Sequence, residues 1–189
     1  SLRRQHMFKD SLKCLQIVFE DDPDFAPALI SMAYIKYIQL DFNNCVLFAT
    51  KVMRQGKDKA GLSNYARSYA LYAGAKGMIA HYGGPLSKII NGTVVLSNLH
   101  KAERIQPEAS AVLFGIGSFY LLAPSFAGGN LDRAEKYLIR VIKIDPLFCD
   151  AYVRLAQLYK LRGDLVKYEE YLTRALEIDP QSEVALDIR

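Results

Sequence analysis

The sequence predicts an all-α fold, a right-handed superhelix of stacked helix–turn–helix repeats. Near the end of the chain, two apolar segments with helical spacing are separated by Gly163 and Asp164, and Pro180 closes the second segment. Gly163 suits a left-handed helix end and Asp164 suits an N-cap, so these segments form one complete repeat. The closing positions upstream are Pro146, Pro107, Lys57 and Pro23, at successive spacings of 34, 39, 50 and 34 residues.

This repeat, moved back along the chain, divides the sequence into a half repeat, four repeats and a short tail. The predicted segments of this single repeat domain are 1–23, 24–57, 58–107, 108–146, 147–180 and 181–189. Segment 58–107 is enlarged, with long helices expected over Leu62–Tyr82 and Leu86–Ile105. Pro85 suits the first position of the second of these helices.

Two further features of the repeat recur upstream. Asp41 and Asn130 take the N-cap place of Asp164. Gly117 takes the place of Ala156, a small residue where the two helices of a repeat approach closely. In the enlarged segment, the glycines at positions 74 and 77 compete for this small position, so the register of that helix stays open.

An uncharged run from Ala109 to Leu131 is long enough to raise the question of a transmembrane helix. Pro124 and the pair Gly128-Gly129 interrupt the run, and its first half fits the repeat register. We therefore expect a buried repeat helix followed by a widened turn over Leu122–Asn130.

The composition argues against several classes of function. The net charge is only +4, and no cluster of Lys and Arg suggests a nucleic-acid surface. His6, His81 and His100 lie far apart and lack metal-ligand spacing. We predict no enzyme activity, no metal and no cofactor. The cysteines are expected to be small buried residues that weakly favour a reducing compartment: Cys14, Cys45 and Cys149.

In a helical repeat array, first-helix residues line an inner groove that serves as a binding surface. Here the lining is aromatic and aliphatic, with apolar residues where a groove for a peptide carboxylate would need Lys and Asn. The groove is therefore covered by the chain's own helices, by an apolar small ligand, or by a partner helix or second protomer. The candidate lining residues are Ile30, Tyr34, Tyr37, Tyr65, Tyr69, Tyr72, Phe114, Ser118, Leu121, Val153, Gln157 and Lys160.

The repeat pattern is typical of tetratricopeptide repeats. A narrower resemblance comes from the enlarged repeat that ends at Pro107, the run Gly117-Ser-Phe-Tyr120, and the widened turn 123–129. With residues 132–138 and the final repeat, this order resembles the T component associated with TRAP-type transporters, over roughly residues 25–180.

The resemblance implies an oligomeric, all-helical periplasmic lipoprotein that works beside a substrate-binding protein, which delivers small organic ligands to a transporter. Together with the apolar groove lining, this gives the first hypothesis, a transporter-associated scaffold that can itself hold an apolar small ligand. The chain starts at Ser1 without Met, so we expect any targeting segment to lie upstream. The alternative is a cytoplasmic scaffold that docks a partner peptide or helix in the groove. Both alternatives predict a non-enzymatic binding module.

Overall fold

The computed structural model describes the backbone of residues 2–188 and the side chains of residues 10–84 and 86–188. Ser1, Arg189 and the side chain of His6 lie outside the described residues. Over the described range every regular element is helical, which confirms the predicted all-α fold.

The chain divides into two compact units, residues 1–106 and 107–189, and the boundary falls beside the predicted closing proline Pro107. The N-terminal unit contains α1 (Leu2–Asp21), α2 (Ala26–Ile38), α3 (Phe42–Ala60), α4 (Leu62–Tyr82), α5 (Pro85–Gly92) and α6 (Val95–Ile105). The C-terminal unit contains α7 (Ser110–Leu122), α8 (Leu131–Ile144), α9 (Cys149–Arg162), α10 (Leu165–Ile178) and α11 (Glu183–Ile188).

The three predicted N-caps are confirmed. The side-chain oxygens of Asp41, Asn130 and Asp164 accept hydrogen bonds from backbone N–H groups three residues later, at 3.3, 2.9 and 3.1 Å. These bonds satisfy donors that a helix start leaves without an intrahelical partner. Gly163 ends α9 in the left-handed conformation (φ 75°, ψ 10°), also as predicted.

The helix predicted over Leu86–Ile105 is wrong as a single element, because it breaks after Gly92 into α5 and α6. Gly92 and Thr93 both have low helix propensity. The Thr93 hydroxyl also donates to the carbonyl oxygen of Ile90 at 3.3 Å, a local bond that competes with helix continuation. Pro85 does open α5, as predicted.

Two clusters of buried side chains form the core of the N-terminal unit. One cluster is built from Ala26, Leu29, Ile30, Val52 and Ala60, and the other from Ala33, Cys45, Ala49 and Ala75. Both clusters include small residues that allow close packing of α2, α3 and α4. Burial raises the pKa of the Cys45 thiol to about 12, which keeps it protonated. The prediction that all three cysteines are buried is wrong for Cys14, which is exposed, while Cys149 is half-buried.

In the C-terminal unit, α7 packs against α8 at Gly117. A Cβ atom on Gly117 would lie 2.9 Å from Cγ of Leu138, closer than real Cβ contacts. Gly117 therefore is the close-packed position that the repeat register predicts. The uncharged run ends its helix at Leu122, before Pro124, and a short 3₁₀ turn covers Ser125–Ala127. Among the described helices, none combines the length and apolar character that a bilayer crossing needs.

A polar network joins α8 to α9 across two consecutive repeats. The Tyr159 hydroxyl donates to Glu135 Oε1. Arg162 Nη1 donates to Glu135 Oε2 at 2.6 Å, and its Nη2 donates to Asp132. The bond from Tyr159, followed by that from Arg162, lowers the pKa of Glu135.

The substitution Gly117→Leu should destabilise the C-terminal unit by about 1–3 kcal/mol or more, because the new side chain overlaps Leu138. Urea denaturation followed by far-UV circular dichroism measures this. Gly84→Leu is the matched control, since Gly84 has a negative φ and a Cβ there meets no atom within 4 Å. Equal midpoints for Gly117→Leu and wild type would show that the helix register is wrong.

The substitution Glu135→Gln should lower the urea midpoint at neutral pH. Because the folded-state pKa of Glu135 lies below its unfolded value of about 4.3, the stabilisation is complete above that value. It is lost as the pH falls through the folded-state pKa, so wild type and variant should converge in acid. Glu177→Gln removes an exposed ion pair with Arg174 and should change little at any pH. A gap for Glu135→Gln that persists in acid would contradict this assignment.

Candidate functional site

The predicted lining residues of α2 have different environments. Ile30 is fully buried in the core cluster of the N-terminal unit, which fits the alternative in which the chain's own helices cover the groove. Tyr34 leaves 51% of its surface exposed. Tyr37 is half-buried, with its ring against the backbone of Gly74 in α4. Of the three, Tyr34 offers the largest contact area to a partner.

The contacts of Gly74 and Gly77 show which of them lies at the small position of α4, where the two helices of a repeat approach closely. Gly77 faces Val95 of α6, the second helix of its own repeat, where a Cβ would make an ordinary contact at 3.8 Å, and Gly117 faces Leu138 of the second helix of its repeat more tightly, at 2.9 Å. Gly74 instead faces Tyr37 in the preceding repeat.

Helix length gives the same answer. The small position lies five residues before the last residue of α2, at Ala33, and of α7, at Gly117, and six residues before the last residue of α9, at Ala156. In α4, which ends at Tyr82, this rule selects Gly77 and excludes Gly74.

With this register, the residues of α4 that correspond to Ile30, Tyr34 and Tyr37 are Gly74, Met78 and His81. Met78 is half-buried and His81 is exposed. They lie one and two turns beyond Gly74, where Tyr37 packs, so α2 and α4 present them on one face. We call Tyr34, Tyr37, Met78 and His81 the Tyr34 surface. With Gly74 in the small position the corresponding residues would be Leu71, Ala75 and Met78, so the sequence alone identifies His81 only if Gly77 is chosen over Gly74.

The tyrosines at positions 65, 69 and 72 do not join this surface. At 100° per residue they lie on the side of α4 opposite Gly74, Met78 and His81. Tyr65 packs against the cluster that contains Val52, and Tyr72 packs against the cluster that contains Cys45. The prediction that they line the groove is wrong, because it lacked the register of α4.

Tyr65 and Tyr69 instead form a pair on this opposite side of α4. Their hydroxyl oxygens are 3.1 Å apart, and their rings meet edge to face. The hydrogen bond to Tyr65 raises the pKa of Tyr69 to about 12. The Lys101 ammonium of α6 lies 5.7 Å from the centre of the Tyr69 ring. The pair therefore supports the packing of α4 against α6.

An aromatic run crosses the end of the N-terminal unit where α2 and α4 finish. The rings of Tyr37 and Phe42 meet edge to face at 5.7 Å, and Phe42 stacks on Tyr82 at 6.2 Å. His81 meets Tyr82 edge to face at 5.0 Å. These contacts hold two residues of the Tyr34 surface, Tyr37 and His81, against neighbouring rings.

The predicted lining residues of α7 are largely used inside the C-terminal unit. Leu121 is buried, so it is not open lining. Phe114 packs on the cluster that contains Leu113, and its ring is 5.0 Å from that of Phe148. The Ser118 hydroxyl is buried, with no hydrogen-bond partner among the described residues.

The last repeat is covered by its own tail. Val153 is buried, and Gln157 accepts a hydrogen bond from Arg154 at 2.8 Å. Lys160 donates to the carbonyl oxygen of Ile188 in α11 at 3.3 Å, and its ammonium lies 4.9 Å from the centre of the Tyr168 ring. The tail residues 183–188 form a short helix that packs on α9 and α10. The residues predicted as groove lining here mostly serve the fold.

Two surface depressions lie on α10, with volumes of about 330 and 540 Å³. Glu169, Thr173 and Glu177 line both. None of the predicted groove residues lines either depression. Over residues 10–84 and 86–188, no three His, Cys, Asp or Glu side chains are grouped closely enough to hold a metal ion.

Residues 150–182, which span α9 and α10, match the sequence model of the tetratricopeptide repeat family. No curated protein sequence matches the chain significantly. The narrower resemblance to the TRAP-associated T component stays a prediction.

Several solved structures are similar over nearly the whole chain. TTC0263, a thermophilic tetratricopeptide repeat protein of Thermus thermophilus, has a TM-score of 0.78 at 18% identity, covering 99% of this chain and 91% of its own. YrrB, a repeat protein with an unusual peptide-binding site, has a TM-score of 0.55 at 19% identity, covering 99% and 86%. MamA from Desulfovibrio magneticus has a TM-score of 0.57 at 14% identity, covering 95% and 90%.

At these identities the likeness establishes the fold alone. The chain therefore has the fold of tetratricopeptide repeat proteins, and its residues 150–182 are a tetratricopeptide repeat.

Proposed function

We propose that this chain is a non-enzymatic scaffold that docks a peptide or helix of a partner protein on the Tyr34 surface. The observation that carries the proposal is the half-exposed ring of Tyr34, set on a first-helix face beside Tyr37, Met78 and His81. First-helix faces are the binding surfaces of repeat arrays. YrrB, which shares the fold, is itself a repeat protein with a peptide-binding site.

The residue types of this surface suit a peptide with apolar side chains. Tyrosine gives a large contact area at a small cost in conformational entropy and keeps a hydroxyl for hydrogen bonding. Methionine adapts its shape to different side chains. None of the four side chains is acidic, and residues 59–102 contain no Asp or Glu, so peptide carbonyl and carboxylate groups meet no repulsion from this stretch.

A protein partner fits these observations better than the alternative of an apolar small ligand. The buried side chains of Ile30, Leu121 and Val153 fill space that a ligand pocket would need. The two depressions on α10 lie away from every predicted lining residue. For these residues, the chain covers its own apolar groove and leaves the Tyr34 surface open.

The substitution Tyr34→Ala should weaken peptide binding about tenfold, because a central aromatic side chain supplies much of the energy of such an interface. Peptides are first selected from a displayed random library on the wild-type chain. Their dissociation constants are then measured by fluorescence anisotropy for wild type and variant.

Leu47→Ala is the matched control for this prediction, because Leu47 in α3 is also 51% exposed. It should bind the selected peptides as wild type does. Tyr37 is a poorer test residue than Tyr34, since its ring packs on Gly74 and Phe42 and its loss would disturb the fold. Equal affinity of Tyr34→Ala and wild type would exclude the Tyr34 surface as the docking site.

A finer version of the proposal takes the partner to be a TRAP-type substrate-binding protein. The support is the widened turn on which the resemblance partly rests. Phe126 at its tip is 93% exposed, the highest value among the exposed large apolar side chains. Gly129 fixes the turn, since a Cβ there would overlap the carbonyl oxygen of Ala123.

For the finer version, Phe126→Ser should weaken binding of a TRAP-type substrate-binding protein about tenfold without changing the thermal melt. Surface plasmon resonance with the immobilised chain measures this. Leu147→Ser, which removes a 70% exposed side chain elsewhere in the same unit, should bind normally. Absence of binding by the wild-type chain would exclude this partner and leave the peptide-docking proposal to its own test.

A further inference from the structure

The short helix α5 has its polar and apolar sides reversed. Its polar side faces α4: the Ser87 hydroxyl donates to the carbonyl oxygen of Ile79 at 3.1 Å, and Lys76 donates to Asn91 Oδ1 at 3.0 Å. Asn91 in turn donates to the carbonyl oxygen of Ser87 at 3.1 Å. A helix on the surface of a soluble domain normally buries its apolar side and leaves its polar side in water.

The apolar side of α5 points away from the protein. Leu86, Ile89 and Ile90 are 69%, 65% and 58% exposed, and they lie on one face at spacings of three and four residues. Tyr82, the last residue of α4, is also 69% exposed, and the extended residues Gly83 and Gly84 separate it from α5. We call Leu86, Ile89 and Ile90 the α5 ridge. It is an apolar surface larger than scattered exposed residues would give.

The ridge cannot simply turn inward. Rotation of α5 about its axis would break the hydrogen bonds of Ser87 and Asn91 and leave the Lys76 ammonium against apolar side chains. Burying polar groups without partners is costly. The entry to the helix is also constrained, because a Cβ on Gly83 would overlap Ser87. The reversed orientation is therefore a built feature of this fold.

Charge indicates what covers the ridge. Residues 59–102 contain no Asp or Glu but carry Lys59, Arg67, Lys76, Lys88 and Lys101. Lys76 and Lys88 lie on or against α5 itself. A second copy of the chain packed ridge to ridge would bring Lys76 and Lys88 of the two copies together, and neither α4 nor α5 supplies a carboxylate to offset them, so charge disfavours self-association through the ridge. An anionic partner is favoured.

The shape of the ridge selects among anionic partners. A protein would need a matching apolar groove to receive side chains that project from a helix. The interface of a lipid bilayer receives projecting Leu and Ile side chains without such a groove, and Tyr is enriched at its headgroup level. Lysines nearby add attraction to anionic lipids. We infer that the α5 ridge docks the chain on a membrane surface that contains anionic lipid, lying in the interface without crossing it.

This inference is independent of peptide docking on the Tyr34 surface. Its test is co-sedimentation of the purified chain with vesicles of phosphatidylcholine alone, or of phosphatidylcholine with phosphatidylglycerol. We expect binding to the anionic vesicles that weakens as salt is raised, because added ions screen the lysines. The double variant Leu86→Ser with Ile89→Ser should lower the partition coefficient about tenfold or more.

The matched control is Leu161→Ser with Leu165→Ser in the C-terminal unit, where the side chains are 68% and 62% exposed. This pair should bind as wild type does. Since all four side chains are exposed, both double variants should keep the wild-type thermal melt. Lys88→Glu should weaken binding to anionic vesicles and leave the weak binding to neutral vesicles unchanged.

Several results would overturn the inference. One is no binding of the wild-type chain to anionic vesicles, and another is equal loss in both double variants. A third is a wild-type dimer, seen by light scattering, that the Leu86→Ser with Ile89→Ser variant abolishes while vesicle binding is absent. That result would assign the ridge to self-association. Retention of vesicle binding by this variant would place membrane contact elsewhere.

Discussion

The structure depends on close approach of the two helices within each repeat. At Gly117 the contact with Leu138 leaves no room for a Cβ atom, and at Gly77 the facing residue is Val95. Such a small residue fixes the rotation of the first helix about its axis. That rotation decides which side chains enter the core and which remain on the open face, so the position of one glycine determines the composition of the candidate site.

This constraint explains what the sequence could and could not predict. Caps such as Asp164 and breaks such as Gly163 act within a few residues, so they could be identified from sequence. The register of α4 could not, because Gly74 and Gly77 differ only in the helices they face. Neither glycine puts the three tyrosines at the positions of Ile30, Tyr34 and Tyr37; only their mutual spacing suggests them for the candidate site, and it omits Met78 and His81. The start and end of a helix can be predicted from residues close by in the sequence. The helix that packs against a given residue depends on distant parts of the chain.

A second limit concerns burial. Ile30, Tyr34 and Tyr37 share one spacing pattern, yet Ile30 is fully buried and Tyr34 is half exposed. The difference arises because the neighbouring repeat covers only part of the first-helix face, with the side chain of Tyr65 packed near Ile30. In the C-terminal unit, the short helix α11 covers the equivalent side of α9. The sequence of the covered residues does not predict that such a helix covers them.

The break between α5 and α6, which the sequence did not predict, also bears on function. A continuous helix over Leu86–Ile105 would have to keep one face along its whole length, and the apolar residues of α6, such as Val95 and Leu99, are buried against the unit. The break after Gly92 separates the two faces, so α6 packs inward with its apolar side while α5 packs inward with Ser87 and Asn91. The extra length of the enlarged repeat therefore adds a helix with an apolar outer face. Because repeat proteins tolerate insertions at their turns, such an addition can supply a second contact surface without disturbing the first-helix face.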